Sequence, residues 1–225
     1  MIRVFIGYEP KEEVAFHVLV ASIMRRTSQP VQIIPIMLSS LRGIFNRERN
    51  PLQSTEFSFS RFLTPYLSGY EGWSIFMDCD MLMLDDIANL WVLRDEKYAL
   101  MCVHHEHVPA EKLKFLNQTQ TKYERKNWSS VMLMNNAQCK ALTPHYVENA
   151  TGLDLHRFKW LQDEQIGEIP GRWNHLVDYD TPLPLDELSN IHFTEGGPYF
   201  AQYANCGYSE QWLSEYREMI KPLSI

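Results

Sequence analysis

What this chain of 225 residues lacks narrows its function before any motif is read. Its four cysteines, Cys79, Cys102, Cys139 and Cys206, are widely spaced and form no C-x-x-C pair. A chain of this length does not need a disulfide framework, and such spacing predicts reduced, mostly buried thiols. No apolar run approaches the ~18 residues of a membrane span. The opening "MIRVFIGYEP" reaches a glycine and charge within a few residues, unlike a secretory leader, and a cytoplasmic protein is expected. Basic residues are in deficit, 21 against 28 acidic, for a formal net charge of −7. That balance gives no general attraction for phosphate backbones or anionic membranes, so bulk nucleic-acid binding is not expected, while a local basic pocket stays open. Internal repeats, low-complexity tracts and linkers are missing too, and the chain reads as one domain over residues 1–225.

What is present is an ordinary globular composition, 45% hydrophobic and 12% aromatic, ample for a core. "RVFIGYEP" reads as a short buried strand that stops at Gly7. In "KEEVAFHVLVASIMRRTSQP" the apolar positions Val14, Val18, Leu19 and Ile23 recur at helical spacing. Glu12 and Glu13 at its start and Arg25 and Arg26 at its end complement the helix dipole. Pro30 marks the stop, and "VQIIPIML" is the next strand. Strand, helix, strand is the unit that builds parallel sheets. Ser39 to Ser60 reads as a polar loop and "SRFLTPYLSGY" as a short helix. Further strands are expected at Ser74–Met77, Lys97–His105 and in "SSVMLMNN", which an Asn-Asn turn ends. From Pro144 onward helices and loops are expected to dominate.

The stretch "GWSIFMDCDMLMLDDI" sets two aspartates, Asp78 and Asp80, between apolar runs. In a strand, residues i and i+2 point to the same side, so the two carboxylates project together and Cys79 points away. Carboxylates that close repel each other and are costly to desolvate unless a cation lies between them or one takes up a proton. Oxygen-only ligands select a hard divalent ion such as Mg²⁺ or Mn²⁺, which completes its shell with water and substrate phosphate. Open α/β sheets place ligands at the carboxyl ends of their strands. The pattern therefore suggests a metal-held diphosphate; the plainer alternative is a pair of turn-capping aspartates continued by Asp85 and Asp86.

Flanked by "SRFLTPYL" and "MLMLDDIANLW", and followed in order by "SSVMLMNN", "DEQIGEIPGRWNHL" and "NIHFTEGGPYF", the "FMDCD" motif resembles the glycogenin-type retaining glycosyltransferases (family 8, A-type fold). The similarity runs from Ile2 to about Tyr199. It implies an α/β, single-domain, Rossmann-like A-type glycosyltransferase fold with a mixed, mostly parallel central sheet flanked by helices. Residues from about 1 to 100 would bind the nucleotide and those from about 101 to 225 would face the acceptor. The resemblance implies Asp78, Asp80 and His192 as metal ligands, with Asp78 also near the ribose. Imidazole favours Mn²⁺ over Mg²⁺ in such a site. It implies Gly7 and Tyr8 at the nucleotide base, Arg61 at the diphosphate or sugar, and Asp163, Glu164 and Gln165 near the anomeric carbon. The donor implied is a nucleotide sugar, UDP-linked, and the acceptor a hydroxyl of unknown identity. Retention by double displacement and by front-face attack both stay open.

Two positions depart from the family pattern. Gly197 stands where the family carries a lysine that touches the diphosphate, so the metal, Arg61 or one of the arginines at 42, 47 and 49 would have to serve. Trp128 and Ser130 stand where an asparagine and a glycine are usual. Two rival readings follow from the same motif. One is a phosphohydrolase of the haloacid-dehalogenase kind, although Leu82 stands where that motif has Thr or Val. The other is a non-catalytic nucleotide-sugar binder on the transferase fold. "VHHEH" offers His105 with His107, or His104 with Glu106, as a separate metal pair, but without a second half at zinc spacing. The terminal helix around Trp212 and Tyr216 is expected to pack on its own domain.

Overall fold

A computed structural model of the protein describes residues 1–49, 53–105 and 125–221. Its strands are β1 (Ile2–Gly7), β2 (Val31–Ile36), β3 (Trp73–Met77), β4 (Met81–Met83), β5 (Leu100–Cys102), β6 (Val131–Asn135), β7 (Ile166–Glu168), β8 (His175–Leu176) and β9 (Asn190–His192). Its α-helices are α1 (Glu13–Arg26), α2 (Thr64–Leu67), α3 (Ile87–Trp91), α4 (Pro144–Asn149), α5 (Gly152–His156) and α6 (Ser209–Met219).

The central sheet has the order β2-β1-β3-β6-β5-β7. β1 pairs in parallel with β2 and β3, β6 runs antiparallel to both β3 and β5, and β7 is parallel to β5. Only β6 is reversed, so the sheet is mixed and mostly parallel, as the resemblance implies. Three of the strands with neighbours on both sides, β3, β5 and β6, are buried at every residue. β2 lies at an edge, which is where Pro35 can sit without breaking a ladder.

Helix α1 buries Ala15, Phe16, Val18, Leu19, Ser22 and Ile23. Each large apolar side chain on that face contributes roughly 1.5–3 kcal/mol relative to exposure. Its dipole is complemented by Glu13 in the first turn and Arg25 and Arg26 in the last. Helix α6 lies against α1: Glu215 accepts from Arg25 Nε at 2.7 Å and Arg26 Nη2 at 2.8 Å, while Trp212 stacks on Tyr216. The terminal helix thus packs on its own domain. No helix among the described residues is long and apolar enough to cross a membrane. All four thiols are free; Cys79, Cys102 and Cys139 are buried and Cys206 is half-buried.

The strand expected at Lys97–His105 shrinks to β5, because only Leu100, Met101 and Cys102 find partners in β6 and β7. "SRFLTPYLSGY" is a 3₁₀ turn over Ser60–Leu63 running into α2. The largest departure lies after Pro144, where helices and loops were expected to dominate. There β8 and β9 form, with β4, a second sheet of order β4-β9-β8. These strands of two or three residues are too short to show a periodicity. They are what carries the late histidine back to the aspartates.

Candidate metal centre and its surroundings

Asp78 and Asp80 follow β3 at its carboxyl end. The ladder with β6 continues one step beyond the strand, as Asp78 N–H donates to the Ser130 carbonyl at 2.9 Å. Asp80 turns into β4, whose Met81 is in register with His192 of β9. Phe193 N–H donates to the Asp80 carbonyl at 2.9 Å, so backbone pairing locks the two distant segments together. The outcome is a cluster in which one ligand atom each from Asp78, Asp80 and His192 lies within 4.8 Å of the others. Cys79 points away, its Sγ 3.5 Å from Glu12 Oε2, as strand alternation requires.

The electrostatics of the cluster are unbalanced. Burial pushes the Asp78 carboxyl upward, against the attraction of Arg61, and Asp80 adds to the rise. Glu12, behind Cys79, is also pushed up, first by burial and then by Asp80. His192 is drawn down by burial, but Asp80 and Asp78 outweigh that and raise it. Arg61 is buried and donates from Nη1 to Asp78 Oδ1 at 2.7 Å and to the Ser129 carbonyl at 3.0 Å. Its guanidinium lies near the Phe57 and Phe76 rings, 5.1 and 5.2 Å from their centroids.

These residues fit a divalent cation. Two carboxylates and one imidazole converge within the span of a single coordination sphere. Asp80 Oδ1 is buried and accepts no hydrogen bond. His192 Nε2 faces it at 3.3 Å without hydrogen-bond geometry. A buried carboxylate oxygen left in that condition is costly unless something positive binds it.

The other expected site residues are distributed differently. Gly7 is pressed against an aromatic ring: a Cβ there would stand 2.3 Å from Phe57 Cδ2. Its lack of a side chain is explained by that ring. Tyr8 is half-buried, edge-on to Phe16 with centroids 5.4 Å apart, and its hydroxyl donates to Glu13 at 3.0 Å. Asp163, Glu164 and Gln165 form a 3₁₀ turn before β7. Ala99 N–H donates to the Gln165 carbonyl, Asn135 N–H to that of Ala99, and Asn135 is in register with Trp73. Gln165 therefore lies level with the amino end of β3, and Asp78 follows the other end. Strand spacings put the two backbones about 20 Å apart. Asp163 instead pairs with Arg125, which together with neighbouring charge holds its carboxyl low. Of the loop arginines, Arg47 is committed to the carbonyls of Val147 and Ala150 and lies 3.8 Å over the Phe59 ring.

Several neighbours of the cluster went unassigned in the sequence. Ser129 Oγ is 2.8 Å from His156 Nδ1 of α5, which brings an imidazole to the Arg61 side of the cluster. Asn174 Oδ1 lies 2.9 Å from His192 Nδ1, and its amide nitrogen lies 3.0 Å from His105 Nε2 and 2.9 Å from Ser130 Oγ. Burial pushes His105 well below the usual histidine range, against the pull of Asp180, and the nearby His192 adds to the fall. His104 stacks on Trp128 with centroids 3.9 Å apart. His107 and Glu106, the other halves of the suggested pairs, lie outside the described residues, as does the whole segment from 106 to 124. Asn174 stood in the quoted "GRWNHL"; nothing in a lone asparagine announces a role.

Comparison with known proteins agrees with this geometry. The chain is 48% identical to the Arabidopsis thaliana Protein CDI over 226 aligned positions, covering 97% of this chain and 87% of that protein. No family model matches the chain. Among solved structures, galactosyltransferase LgtC in complex with donor and acceptor sugar analogues superposes with a TM-score of 0.63 at 12% identity, covering 99% of this chain and 98% of that one. GlyE of Streptococcus pneumoniae gives 0.64 at 15% identity over 96% of this chain and 61% of its own. The bifunctional glycosyltransferase WbbM gives 0.66 at 11% identity over 96% and 49%. The chain thus spans about half the length of WbbM and three fifths of GlyE. The fold is that of the A-type glycosyltransferases.

Proposed function

The chain belongs to the family of the Arabidopsis thaliana Protein CDI, and from that premise we propose that it is a metal-dependent, retaining glycosyltransferase that moves a hexose from a UDP-linked donor to an acceptor hydroxyl. The observation that carries the reading is the convergence of Asp78, Asp80 and His192 behind the carboxyl end of β3 in a fold shared with glycosyltransferases. Open α/β sheets receive their ligands at that end. The likeness to the glycogenin-type enzymes of family 8 supports the retaining outcome. The fold leaves the phosphohydrolase alternative without support.

Asp78, Asp80 and His192 would hold the ion, Mn²⁺ in preference to Mg²⁺ because of the imidazole. When bound, such an ion supplies Lewis-acid neutralisation of the charge that develops on a departing diphosphate. In the transfer, the bond from the anomeric carbon to the diphosphate breaks, a bond to the acceptor oxygen forms, and the acceptor proton passes to the departing diphosphate or to water. Arg61 takes part of the work that the family's lysine does, since Gly197 carries no charge and Arg61 sits one hydrogen bond from Asp78. It keeps Asp78 ionised in a buried setting and lowers the negative potential that a diphosphate would meet. Tyr8 remains a candidate for the nucleotide base, beside the carboxyl end of β1. Asp163, Glu164 and Gln165, read as the residues nearest the anomeric carbon, lie toward the amino end of the sheet, and their ladder position gives that role no support. His156 and Ser129 are nearer.

The test is a thermal-shift measurement with UDP, UDP-sugars and GDP-sugars, with and without Mn²⁺. A ligand that binds only the folded state at about 100 times its Kd adds about 2.7 kcal/mol of stability. For a chain of this size that is a rise of roughly 5–10 °C in Tm. The expected result is a manganese-dependent shift with UDP that Asp80→Asn abolishes, accompanied by slow hydrolysis of one UDP-sugar. No shift with any nucleotide would overturn the donor site. Donor binding with neither hydrolysis nor transfer would mark the protein as a non-catalytic nucleotide-sugar binder.

A further inference from the structure

We propose that Asn174 is a positioning residue that fixes the ring tautomer of His192, so that His192 presents a lone pair and not a proton to the Asp78–Asp80 pair. The inference rests on the metal-site reading above. It follows from counting donors and acceptors around one fully buried amide.

The amide nitrogen of Asn174 has three neighbours: Ser130 Oγ at 2.9 Å, His105 Nε2 at 3.0 Å and the Asn127 carbonyl at 3.3 Å. The carbonyl can only accept. The Ser130 hydroxyl spends its single proton on that same carbonyl, at 2.7 Å, so toward Asn174 it too can only accept. Two acceptors on one side require the NH₂ end of the amide there. Turning the amide over would set its oxygen against the Asn127 carbonyl and the Ser130 lone pair, leaving buried acceptors without donors. The amide oxygen therefore faces His192 Nδ1, 2.9 Å away, and that nitrogen must donate. A neutral imidazole has one N–H, so the lone pair is on Nε2. Nε2 is the atom 3.3 Å from Asp80 Oδ1.

A lone pair aimed at a carboxylate oxygen is repulsive on its own and favourable with a cation between the two. Metal-bound histidines commonly donate their other ring N–H to a fixed acceptor, which sets the tautomer and the ring orientation. Here the acceptor is an amide instead of a carboxylate, and it is itself held by two other segments, at residues 105 and 127–130. This gives a physical reason for Ser130 at a place where the resembled family has glycine. A glycine has no hydroxyl and could not help to choose the orientation of Asn174.

The experiment uses the full chain. Long-range ¹H–¹⁵N spectra of metal-free protein, recorded where the histidine rings are neutral, report the tautomer of His192 directly. The proton is expected on Nδ1. Mn²⁺ binding is then followed by the electron paramagnetic resonance of the free ion, in wild type, Asn174→Asp and Asn174→Leu. The aspartate keeps an acceptor for Nδ1–H, so the ring proton of His192 should stay on Nδ1. The leucine removes the acceptor at similar size. It should populate the Nε2–H form and weaken Mn²⁺ binding by about 10–100-fold. A wild-type His192 with its proton on Nε2 would overturn the inference, and so would a folded leucine variant that binds Mn²⁺ as tightly as wild type. If the leucine variant does not fold, the wild-type spectrum decides. If wild type binds no Mn²⁺ at all, the metal-site reading fails while the spectrum still decides the role of Asn174.

Discussion

Arg61 Nη1 donates to Asp78 Oδ1 at 2.7 Å, and the side chains of both residues are largely shielded from water. The pair joins the 3₁₀ turn before α2 to the carboxyl end of β3, and Arg61 also ties the Ser129 carbonyl to the same point. Asp78 has been pushed up by burial even with this partner in place. Its ionised form therefore depends on Arg61 until a cation arrives.

Arg61→Met should leave Asp78 as a buried carboxylate with no nearby guanidinium. Breaking a buried pair from one side costs about 3–5 kcal/mol, largely because the remaining charge is uncompensated. Urea denaturation should show a loss of that order in metal-free protein. Adding Asp78→Asn to Arg61→Met should recover part of it, because the stranded charge is gone. If the double variant is no more stable than the single one, the pair is not what holds this corner together.

Glu215 provides a pH dependence away from the cluster. Burial raises its carboxyl, but hydrogen bonds from Arg26 and Arg25 outweigh burial and hold it below the usual glutamate range. A carboxylate with a depressed folded-state pKa stabilises the fold fully above its unfolded value, about 4.3. That contribution is lost as the pH falls through the lower folded value. Arg25 is substantially exposed, so the solvent-screened contribution is on the order of 1 kcal/mol. Glu215→Gln should therefore lower stability by about that amount at pH 7 and flatten the acid side of the stability profile. A variant that matches wild type at pH 7 and keeps the same acid slope would refute the assignment.

Why was the cluster legible from its two aspartates when its surroundings were not? Asp78 and Asp80 announce themselves because charge between apolar runs at spacing i, i+2 has few structural explanations. β1, α1, β2 and β3 were legible for a related reason: burial of a whole strand, or of one helix face, leaves a period in the sequence. β8 and β9 leave none, since two or three residues complete no period. His192 was reached only through resemblance, and Asn174, bonded to it, stood in a resembling motif without being given a role. An asparagine buried by its partners and one exposed in a turn look alike in a sequence; only the fold supplies the partners. The motif order likewise carried Asp163 to Gln165 toward the reactive carbon, whereas the register of β7 with β5 puts them at the other end of the sheet.

Gly7 separates packing from ligand approach. A methyl group there would meet the Phe57 ring at 2.3–2.7 Å. Gly7→Ala should destabilise by about 1–3 kcal/mol, the usual cost of overpacking a core, and Phe57→Leu in the same chain should relieve part of it. Thermal denaturation reads both effects. If Gly7→Ala instead leaves Tm unchanged and abolishes the UDP-dependent shift, the position serves the nucleotide and the ring merely fills space beside it.

Gln165 and its neighbours test the reading of the sheet most directly. The carbonyl of Gln165 is bonded to Ala99, and its side-chain oxygen accepts from Gln162 N–H at 3.0 Å, closing a local capping box. Both engagements are structural and belong to the amino end of the sheet. Glu164→Gln and Gln165→Ala should therefore leave Mn²⁺ affinity within a few-fold of wild type and change kcat for donor hydrolysis by less than about tenfold. Asp80→Asn should cost both, with kcat falling at least a hundredfold if the group supplies a metal ligand worth about 2.7 kcal/mol or more in the transition state. His156→Ala, on the Arg61 side, should lower kcat while leaving Mn²⁺ affinity unchanged. A Gln165→Ala variant as inactive as Asp80→Asn, but folded and metal-loaded, would mean that this turn moves to the cluster when donor binds.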